Sequence, residues 1–363
     1  MAVALTQPTY FAARPSIRID GQIQPTFGDE LLQSLLVEET TAGLFRCEAR
    51  FENWGPSGNG QGLLLFDGSV LHFGKVFAVE FGPSGDSNAV FAGRISGIEA
   101  HYPAGRPPEL TILAEDRFQD LRLTRRTRSF ENVSDSDVIR TIAGDHGLTP
   151  QIDVDGPTYR VLTQVNQSDL AFLRERAAAI DAELWVDGNT LYAQLRGRRS
   201  AGTIKFTYGR NLLEFSVLAD LADQRSSVRV SGWDVGGKEA IDEEADEAAI
   251  SPELNGGMSG GAVLDRALAK HVERIVSAVP LSRDEARRMA QARYRERARR
   301  FIRGSGVVDG NVHIRVGATV ELDGLGPWFD GGYYVTAARH TFDLRHGFRT
   351  AFEAERPGIA GSS

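Results

Sequence analysis

Apolar and polar residues alternate in the same arrangement near the two ends of the chain. In each copy a glycine precedes an alternating run, a second glycine opens the next run, and a histidine lies at the end of that run. Alternation of period two between glycine-rich turns predicts antiparallel β-strands. The repetition therefore predicts two similar β-modules that arose by internal duplication. The corresponding positions are Gly74 and Gly317, Gly93 and Gly331, His101 and His340, and the closing runs 110–117 and 349–356.

The two modules are predicted to be antiparallel β-barrels formed by different parts of the chain. Residues 1–118 form the first barrel, with glycine-rich turns at 55–62 and 82–86. Residues 200–235 and 305–356 form the second barrel. The predicted strands are 16–19, 45–52, 75–81, 89–98 and 109–114 in the first barrel, and 204–208, 213–217 and 227–233 in the second.

Residues 119–199 change character and predict an α+β domain of two helices and a β-hairpin. Ser134 and the acidic residues after it are typical of a helix start, and the apolar stripe that follows ends at Gly147. A second helix is predicted to begin at 168–169, and the turn at 187–189 predicts the hairpin. The predicted fold class is mainly β with α+β insertions.

Residues 236–304 interrupt the second barrel, and residues 357–363 form a predicted flexible tail. The acidic, glycine-rich stretch 238–261 is typical of a solvated loop. A long amphipathic helix is predicted from 282 to about 303, and it carries nine arginines. A phosphate-binding role for this helix is the alternative. We favour a packed helix whose arginines bond carbonyls or carboxylates of neighbouring chains.

Composition narrows the class of protein. The chain has 363 residues, 41% of them hydrophobic, and a net charge of −8, which argues against a main role in binding polyanions. The first 16 residues lack a secretory signal pattern, and no apolar run of 18 residues occurs. We therefore expect a soluble protein without a signal peptide or membrane insertion. The single cysteine, Cys47, lies in a strand-like run and is predicted to be buried.

Candidate catalytic motifs all favour structural interpretations. Gly257-Met258-Ser259-Gly260-Gly261 has the spelling of a hydrolase nucleophile elbow, but no strand precedes it, so a flexible loop is predicted. Asp145-His146 lies at a helix end without a partner nucleophile. Asp153 and Asp155 lack the remaining positions of a calcium loop, and the seven histidines lack zinc spacing. We therefore predict no catalytic, cofactor-binding or metal site, and no enzyme.

Several stretches resemble the late control protein D family, the baseplate hub proteins of contractile phage tails, and the hub portion of VgrG proteins of type VI secretion. The segments that carry the resemblance are 167–188, 91–95, 130–139 and 329–340. The resemblance implies two similar barrels per subunit in a trimeric ring. Three chains with two barrels each would present six quasi-equivalent modules to a hexameric tube.

The resemblance implies a structural hub that adapts a hexameric inner tube to a trimeric spike. The implied partners are two further copies of the chain in a homotrimer, the inner tube protein, a separate spike protein and other baseplate components. Nucleic acid is not expected as a partner, and no interface residue is assigned. Assembly is expected in the cytoplasm, followed by incorporation into a phage tail or injection particle. The alternatives are a particle-associated cell-wall hydrolase and a nucleic-acid-binding tail component.

Overall fold

The computed structural model describes residues 14–359 apart from 58–59, 66–67, 69, 83–87, 235–236 and 277–281. Most of the predicted turn at 82–86, the N-terminal segment before residue 14 and the end of the predicted tail lie outside the described residues. The expected fold class, mainly β with α+β insertions, is confirmed.

The first half of the chain folds as strands around one buried cluster. In β3 the inward residues Leu35, Val37 and Glu39 alternate with the outward Leu36 and Glu38, as a half-buried strand requires. A short π-helical turn, Phe27–Leu31, precedes β3. The strands are β1 (Ser16–Ile19), β2 (Gln22–Ile23), β3 (Leu32–Thr40), β4 (Arg46–Glu52), β5 (Gly55–Ser57), β6 (Gly60–Gly62), β7 (Val76–Phe81), β8 (Asn88–His101) and β9 (Glu109–Glu115).

The middle of the chain combines helices with short strands around a second buried cluster. A capping box starts the second helix, because Ser134 and Asp137 satisfy each other's backbone N–H groups. Ser168 caps the third helix in a similar way by accepting from the backbone N–H of Ala171. The elements are α1 (Phe118–Arg122), β10 (Arg125–Val133), α2 (Asp135–Asp145), β11 (Thr149–Asp153), β12 (Tyr159–Ser168), α3 (Asp169–Ala179), β13 (Ala182–Asp187) and β14 (Thr190–Leu195).

The last part of the chain contributes to two different sheets. Two short 3-10 turns, Glu247–Ala249 and Ser251–Glu253, lie between its strands. Its elements are β15 (Thr203–Thr207), β16 (Glu214–Ala219), β17 (Ser227–Asp234), β18 (Glu239–Ala245), β19 (Met258–Ser259), α4 (Gly260–Leu268), β20 (Val272–Ile275), α5 (Arg283–Arg299), β21 (Ile302–Asp309), β22 (Thr319–Asp323), β23 (Gly331–Asp343), β24 (Gly347–Arg356) and β25 (Gly358–Ile359).

One 13-stranded sheet runs through both halves of the molecule, in the order β16-β21-β24-β23-β3-β4-β9-β8-β7-β1-β2, with β22 and β15 branching from β23. The halves meet where β3 pairs antiparallel with the second part of β23, from Ala337 opposite Thr40 to Asp343 opposite Ser34. We call this pairing the internal joint. Below it, the rings of Phe81 and Phe348 stack 3.7 Å apart, and both belong to the first buried cluster, which therefore contains residues of both halves.

The duplication is visible in strand order. The first half has the order β3-β4-β9-β8-β7-β1 and the second has β16-β21-β24-β23-β22-β15. The last strand differs in direction, since β1 is antiparallel to β7 whereas β15 is parallel to β22. Both central strands carry a bulge at the same place, after Ile95 in β8 and after Val335 in β23.

The bulges fix which residues correspond. Gly74 and Gly317 occupy the same place, because both have positive φ and their N–H groups donate to the carbonyls of Ile95 and Val335. Two further predicted correspondences, Gly93 with Gly331 and His101 with His340, are wrong. Counted from the bulge, Gly93 corresponds to Tyr333, and His340 corresponds to Ala100. The shift of one residue places the histidines on opposite faces, so His101 is exposed while His340 is buried.

The insertion is more regular than the sequence predicted. The acidic stretch is not a loop throughout, because residues Glu239–Ala245 form β18, which pairs with β17 around the buried Ile241. Strand β17 also pairs with β20, and the three strands form a separate sheet. The prediction that residues 227–233 belong to the second barrel is therefore wrong. Helix α5 covers this sheet and ends at Arg299, so residues 302 and 303 belong to β21. The predicted domain boundaries stay a prediction.

Within the part of the chain that the structure describes, no helix has both the length and the apolar character needed to cross a membrane.

Candidate assembly surface

A line of charged side chains crosses the outer face of the internal joint. Arg46 of β4 contacts Glu38 of β3 at 2.5 Å, and Arg339 of β23 contacts the same carboxylate at 2.7 Å. Arg339 also reaches Glu353 of β24 at 3.2 Å. Burial opposes ionisation of Glu38, but the hydrogen bond from Arg339 and the charge of Arg46 outweigh it and lower the pKa of Glu38. These pairs link four consecutive strands across the two halves.

The inner face of the joint is buried. His340 is fully buried, and its Nδ1 lies 3.0 Å from the Thr350 hydroxyl. Burial, with the nearby charge of Arg315, lowers the pKa of His340 to about 3, so the ring is neutral near pH 7. The buried Glu39 pairs with Arg315 and accepts a hydrogen bond from the backbone N–H of Val316 at 3.2 Å. The joint therefore combines backbone pairing, apolar packing and a buried ion pair.

Two open grooves lie at corresponding places on the outer faces of the two halves. One lies over β3, β4, β9 and β8, and the other over β16, β21, β24 and β23. The bulge correspondence relates Gly97 to Ala337 and Leu113 to Glu353, and these residues line the two grooves. Each groove is lined by two acidic residues and one arginine. Such paired broad faces suit contact with another protein better than capture of a small molecule.

The serine of the G-x-S-x-G spelling has a structural role. Ser259 is buried at the end of the two-residue strand β19, which pairs antiparallel with β25. Its Oγ accepts from the Ala262 N–H at 3.0 Å, which caps α4, and donates to Glu247 at 2.6 Å. The predicted flexible loop is therefore wrong at this residue. A strand of a parallel sheet, which a nucleophile elbow requires, does not lead into it.

The acid and base candidates contact neighbouring charged side chains. His146 Nε2 lies 2.8 Å from the buried Asp169, and Arg128 contacts both Asp145 and Asp169. Burial opposes ionisation of Asp169, but the hydrogen bonds from His146 and Gln164 outweigh it and keep its pKa low. This arrangement joins α2, α3 and β10.

The calcium-like acids and the cysteine lack the setting of a reactive site. Arg198 contacts Asp153 and Asp155, each at 3.0 Å. Across the described ranges no cluster of three or more His, Cys, Asp or Glu side chains is placed to hold a metal ion. Cys47 is buried as predicted, and burial raises the pKa of its thiol well above the ordinary value.

The arginines of α5 form ion pairs with acidic residues of their own chain, whereas the sequence analysis predicted partners in neighbouring chains. Arg283 lies within 4 Å of Glu239 and Glu243 in the acidic stretch. Arg297 holds Glu273 through two nitrogens, at 2.5 and 2.8 Å. The acidic stretch thus supplies part of the counter-charge for α5, which also explains why its residues are ordered as a strand.

Sequence reasoning missed the strand on which the joint depends. Leu35, Val37 and Glu39 alternate with Leu36 and Glu38, and this alternation was the available signal. The strand's pairing partner lies near the other end of the chain, so its role was not visible locally.

Solved structures of tail proteins share this fold. A 43 kDa tail protein of prophage MuSo2 from Shewanella oneidensis matches with a TM-score of 0.68 and 12% identity, covering 95% of this chain and 98% of that one. A tail protein from Neisseria meningitidis matches with a TM-score of 0.67 and 12% identity, covering 96% and 98%. An Escherichia coli component of the type VI secretion system matches with a TM-score of 0.59 and 10% identity, covering 95% and 79%.

The chain also matches a protein family whose description states no activity. Residues 59–343 match the family described as the Alg8 N-terminal domain. That description does not mention a tail hub, so the resemblance to the late control protein D family stays a prediction. No curated protein matches the chain.

Proposed function

We propose that this protein is a structural tail hub. The chain belongs to the family described as the Alg8 N-terminal domain and has the fold of phage-tail proteins. Three copies form a ring that adapts a hexameric inner tube to a trimeric spike in a contractile tail or injection machine. The shared strand order of the two halves is the observation that carries this proposal.

Symmetry supplies the mechanism. Each chain presents two similar halves, so a ring of three chains presents six similar faces to a tube of six identical subunits. The common bulge and the matching glycines Gly74 and Gly317 support treating the halves as equivalent modules. Residues that differ between the two halves repeat only three times around the ring. These residues contact the trimeric spike.

Contacts spread over broad faces fit this role. The grooves on the outer faces are open to solvent, and the residues that line them include the charged Glu48 and Glu353. A stable protein interface buries about 800 Å² on each partner, an area that a sheet face spanning several strands provides. A partner that binds over such an area does not need a single reactive pocket.

Native mass spectrometry tests the proposal. The purified chain is measured alone, with the spike protein and with the tube protein of the same particle. We expect a species of three chains, formed alone or on adding the spike, which then binds one tube hexamer. A chain that stays monomeric with both partners present, or that closes with another number of copies, refutes the trimeric hub.

A further inference from the structure

The second part of β8 and the outer side of β16 are open sheet edges. Strand β7 pairs with β8 only as far as Arg94, and among the described residues no strand continues along that side of Gly97–His101. Strand β16 pairs with β21 on one side, and no described strand lies on its other side. Open edges of this kind are templates for pairing with another chain.

The internal joint shows how such an edge is filled in this fold. The part of β23 that corresponds to the open part of β8 is covered by β3. In turn, β3 corresponds to β16, because each is the first strand in the common order of its half. The chain therefore fills one copy of this junction internally and leaves the two sides of the other copy open.

Burial separates the filled junction from the open one. Inward residues at the internal joint are almost inaccessible, with Val37 and His340 both at 0% exposure. Their counterparts at the open edges are Val217, which is half-buried, and Ala100, which is exposed. Phe73, which corresponds to the buried Val316, is 58% exposed. The open edges thus show apolar surface that the same fold buries when a strand is added.

We propose that β16 of one copy pairs antiparallel with the second part of β8 of the next copy, in the register of the internal joint. His340 lies opposite Val37 in that joint, so Ala100 lies opposite Val217 between copies. By the same transfer Glu99 lies opposite Leu218. The inference rests on the proposed hub and names the strands that close its ring.

Side chains at the open edges complement each other. In the internal joint Glu39 meets Arg315 and the N–H of Val316. The corresponding residue of β16 is Ala219, and it would face the exposed ring of Phe73. An apolar contact between copies thus takes the place of the buried ion pair.

The outer face of the open junction is matched as well. Arg303 of β21 and Glu99 of the next copy would flank Leu218, which is 54% exposed. Arg303 is itself half-exposed, and its contact with Asp220 is long, at 4.0 Å. Opposite charges on either side of an apolar residue favour this register over a shifted one.

The pairing is head to tail. Each copy uses its β8 edge on one side and its β16 edge on the other, so the contact repeats until a ring closes. An arrangement in which the same edge meets itself would leave this complementarity unused.

Cysteine cross-linking tests the register. In a Cys47→Ala background, one chain carries Glu99→Cys and a second carries Leu218→Cys. Residues directly opposite in a sheet have Cβ atoms about 4.5–5.5 Å apart, whereas diagonal neighbours are about 7–8 Å apart. Oxidation of the mixture should give a disulfide-linked heterodimer, and each variant oxidised alone should not. The control pairs Glu99→Cys with Ser216→Cys, which lies on the same face two residues away, and it should cross-link at least tenfold more slowly.

The outcomes separate this inference from the hub itself. A trimer by native mass without the matched cross-link overturns the strand pairing and leaves the hub proposal intact. Cross-linking in a closed species of another size supports the pairing and overturns the threefold ring. Monomers without cross-links, with spike and tube proteins present, overturn both.

A second variant tests the apolar part of the contact. Phe73→Asp should weaken self-association about tenfold or more, measured by mass photometry across a dilution series. The matched control is Leu268→Asp at the end of α4, another exposed apolar residue, at 60%, and it should leave association unchanged. Circular dichroism checks that both variants fold. Equal association of the two variants contradicts the proposed contact.

Discussion

Arg299, the last residue of α5, holds three segments of the chain together. Its guanidinium donates to both oxygens of Asp181 in the turn before β13, and to both oxygens of Glu253, at 2.8 and 2.6 Å. Its side chain is 3% exposed. Burial opposes the charge, but the hydrogen bonds to Glu253 and Asp181 outweigh it and raise the pKa of Arg299. Replacing this residue with methionine keeps much of its volume and removes every one of those bonds.

Arg299→Met should cost about 3 kcal/mol of unfolding free energy near pH 7. Removing one member of a buried ion pair costs about 3–5 kcal/mol, and we take the lower end because the Glu253 side chain is 28% exposed. Urea is the suitable denaturant, since guanidinium chloride is a salt that screens the interaction. With a urea dependence of about 3 kcal/mol per molar, the midpoint should fall by about 1 M.

The neighbouring Arg300 provides the control. It is 48% exposed and contacts Glu296 at 2.9 Å, so Arg300→Met should cost less than about 1 kcal/mol. The pKa of Glu253 is lowered, because the hydrogen bond from Arg299 outweighs its burial. The stability from this pair is therefore present above the ordinary pKa of Glu253 and lost as pH falls through the lowered value. The difference in urea midpoint between wild type and Arg299→Met should then become smaller in acid. Equal midpoints for the two variants, or a gap that persists in acid, would refute this reasoning.

Further predictions concern a buried carboxyl and two glycines. Burial raises the pKa of Asp116 from 3.8 to about 7, so its contribution to stability is present below pH 4 and lost as pH rises through 7. Asp116→Asn should flatten that part of the curve of urea midpoint against pH, and a slope as steep as wild type would contradict the assignment. Gly310→Ala should lose about 1–3 kcal/mol, because the new Cβ would lie 2.0 Å from a ring carbon of Phe348. Gly144→Ala in α2, with no atom within 4 Å of the new Cβ, should gain about 0.5–1 kcal/mol, and thermal melts of the two should move in opposite directions.

Local signals predicted much of the β framework and the helix starts. The alternation in 16–19 and 75–81 located β1 and β7 within a residue. Ser134 and Ser168 began α2 and α3 as expected, because capping depends on residues only three positions apart. The turn at 187–189 gave the hairpin of β13 and β14.

The features that the sequence did not predict depend on distant partners. Strand β18 carries Glu239, Asp242, Glu243 and Glu244, a composition that disfavours strands. It forms because Ile241 is buried and because arginines across the sheet and on α5 neutralise the acids. The correspondence of His101 with His340 failed for a different reason, since the spacing of residues in the sequence does not show how two strands align in their sheets. An alignment that is shifted by one residue exchanges the two faces of a strand.

The candidate surface was only partly foreseeable. The doubled pattern indicated two modules, but the pairing of β3 with β23 requires knowing which edges are free after each module folds. Glu38 and Arg339 are ordinary surface residues when considered separately. Only the register of the internal joint brings the Arg339 guanidinium within 2.7 Å of the Glu38 carboxylate.

The internal joint also constrains the order in which a newly made chain can fold. Glu38 and Arg339 are 301 residues apart, so β3 leaves the ribosome long before the strand that completes its pairing. Until then the first half exposes an unfilled edge that invites misassembly. Contacts of such sequence separation slow folding, so protection of the growing chain, for example by a chaperone, matters until β23 has been made.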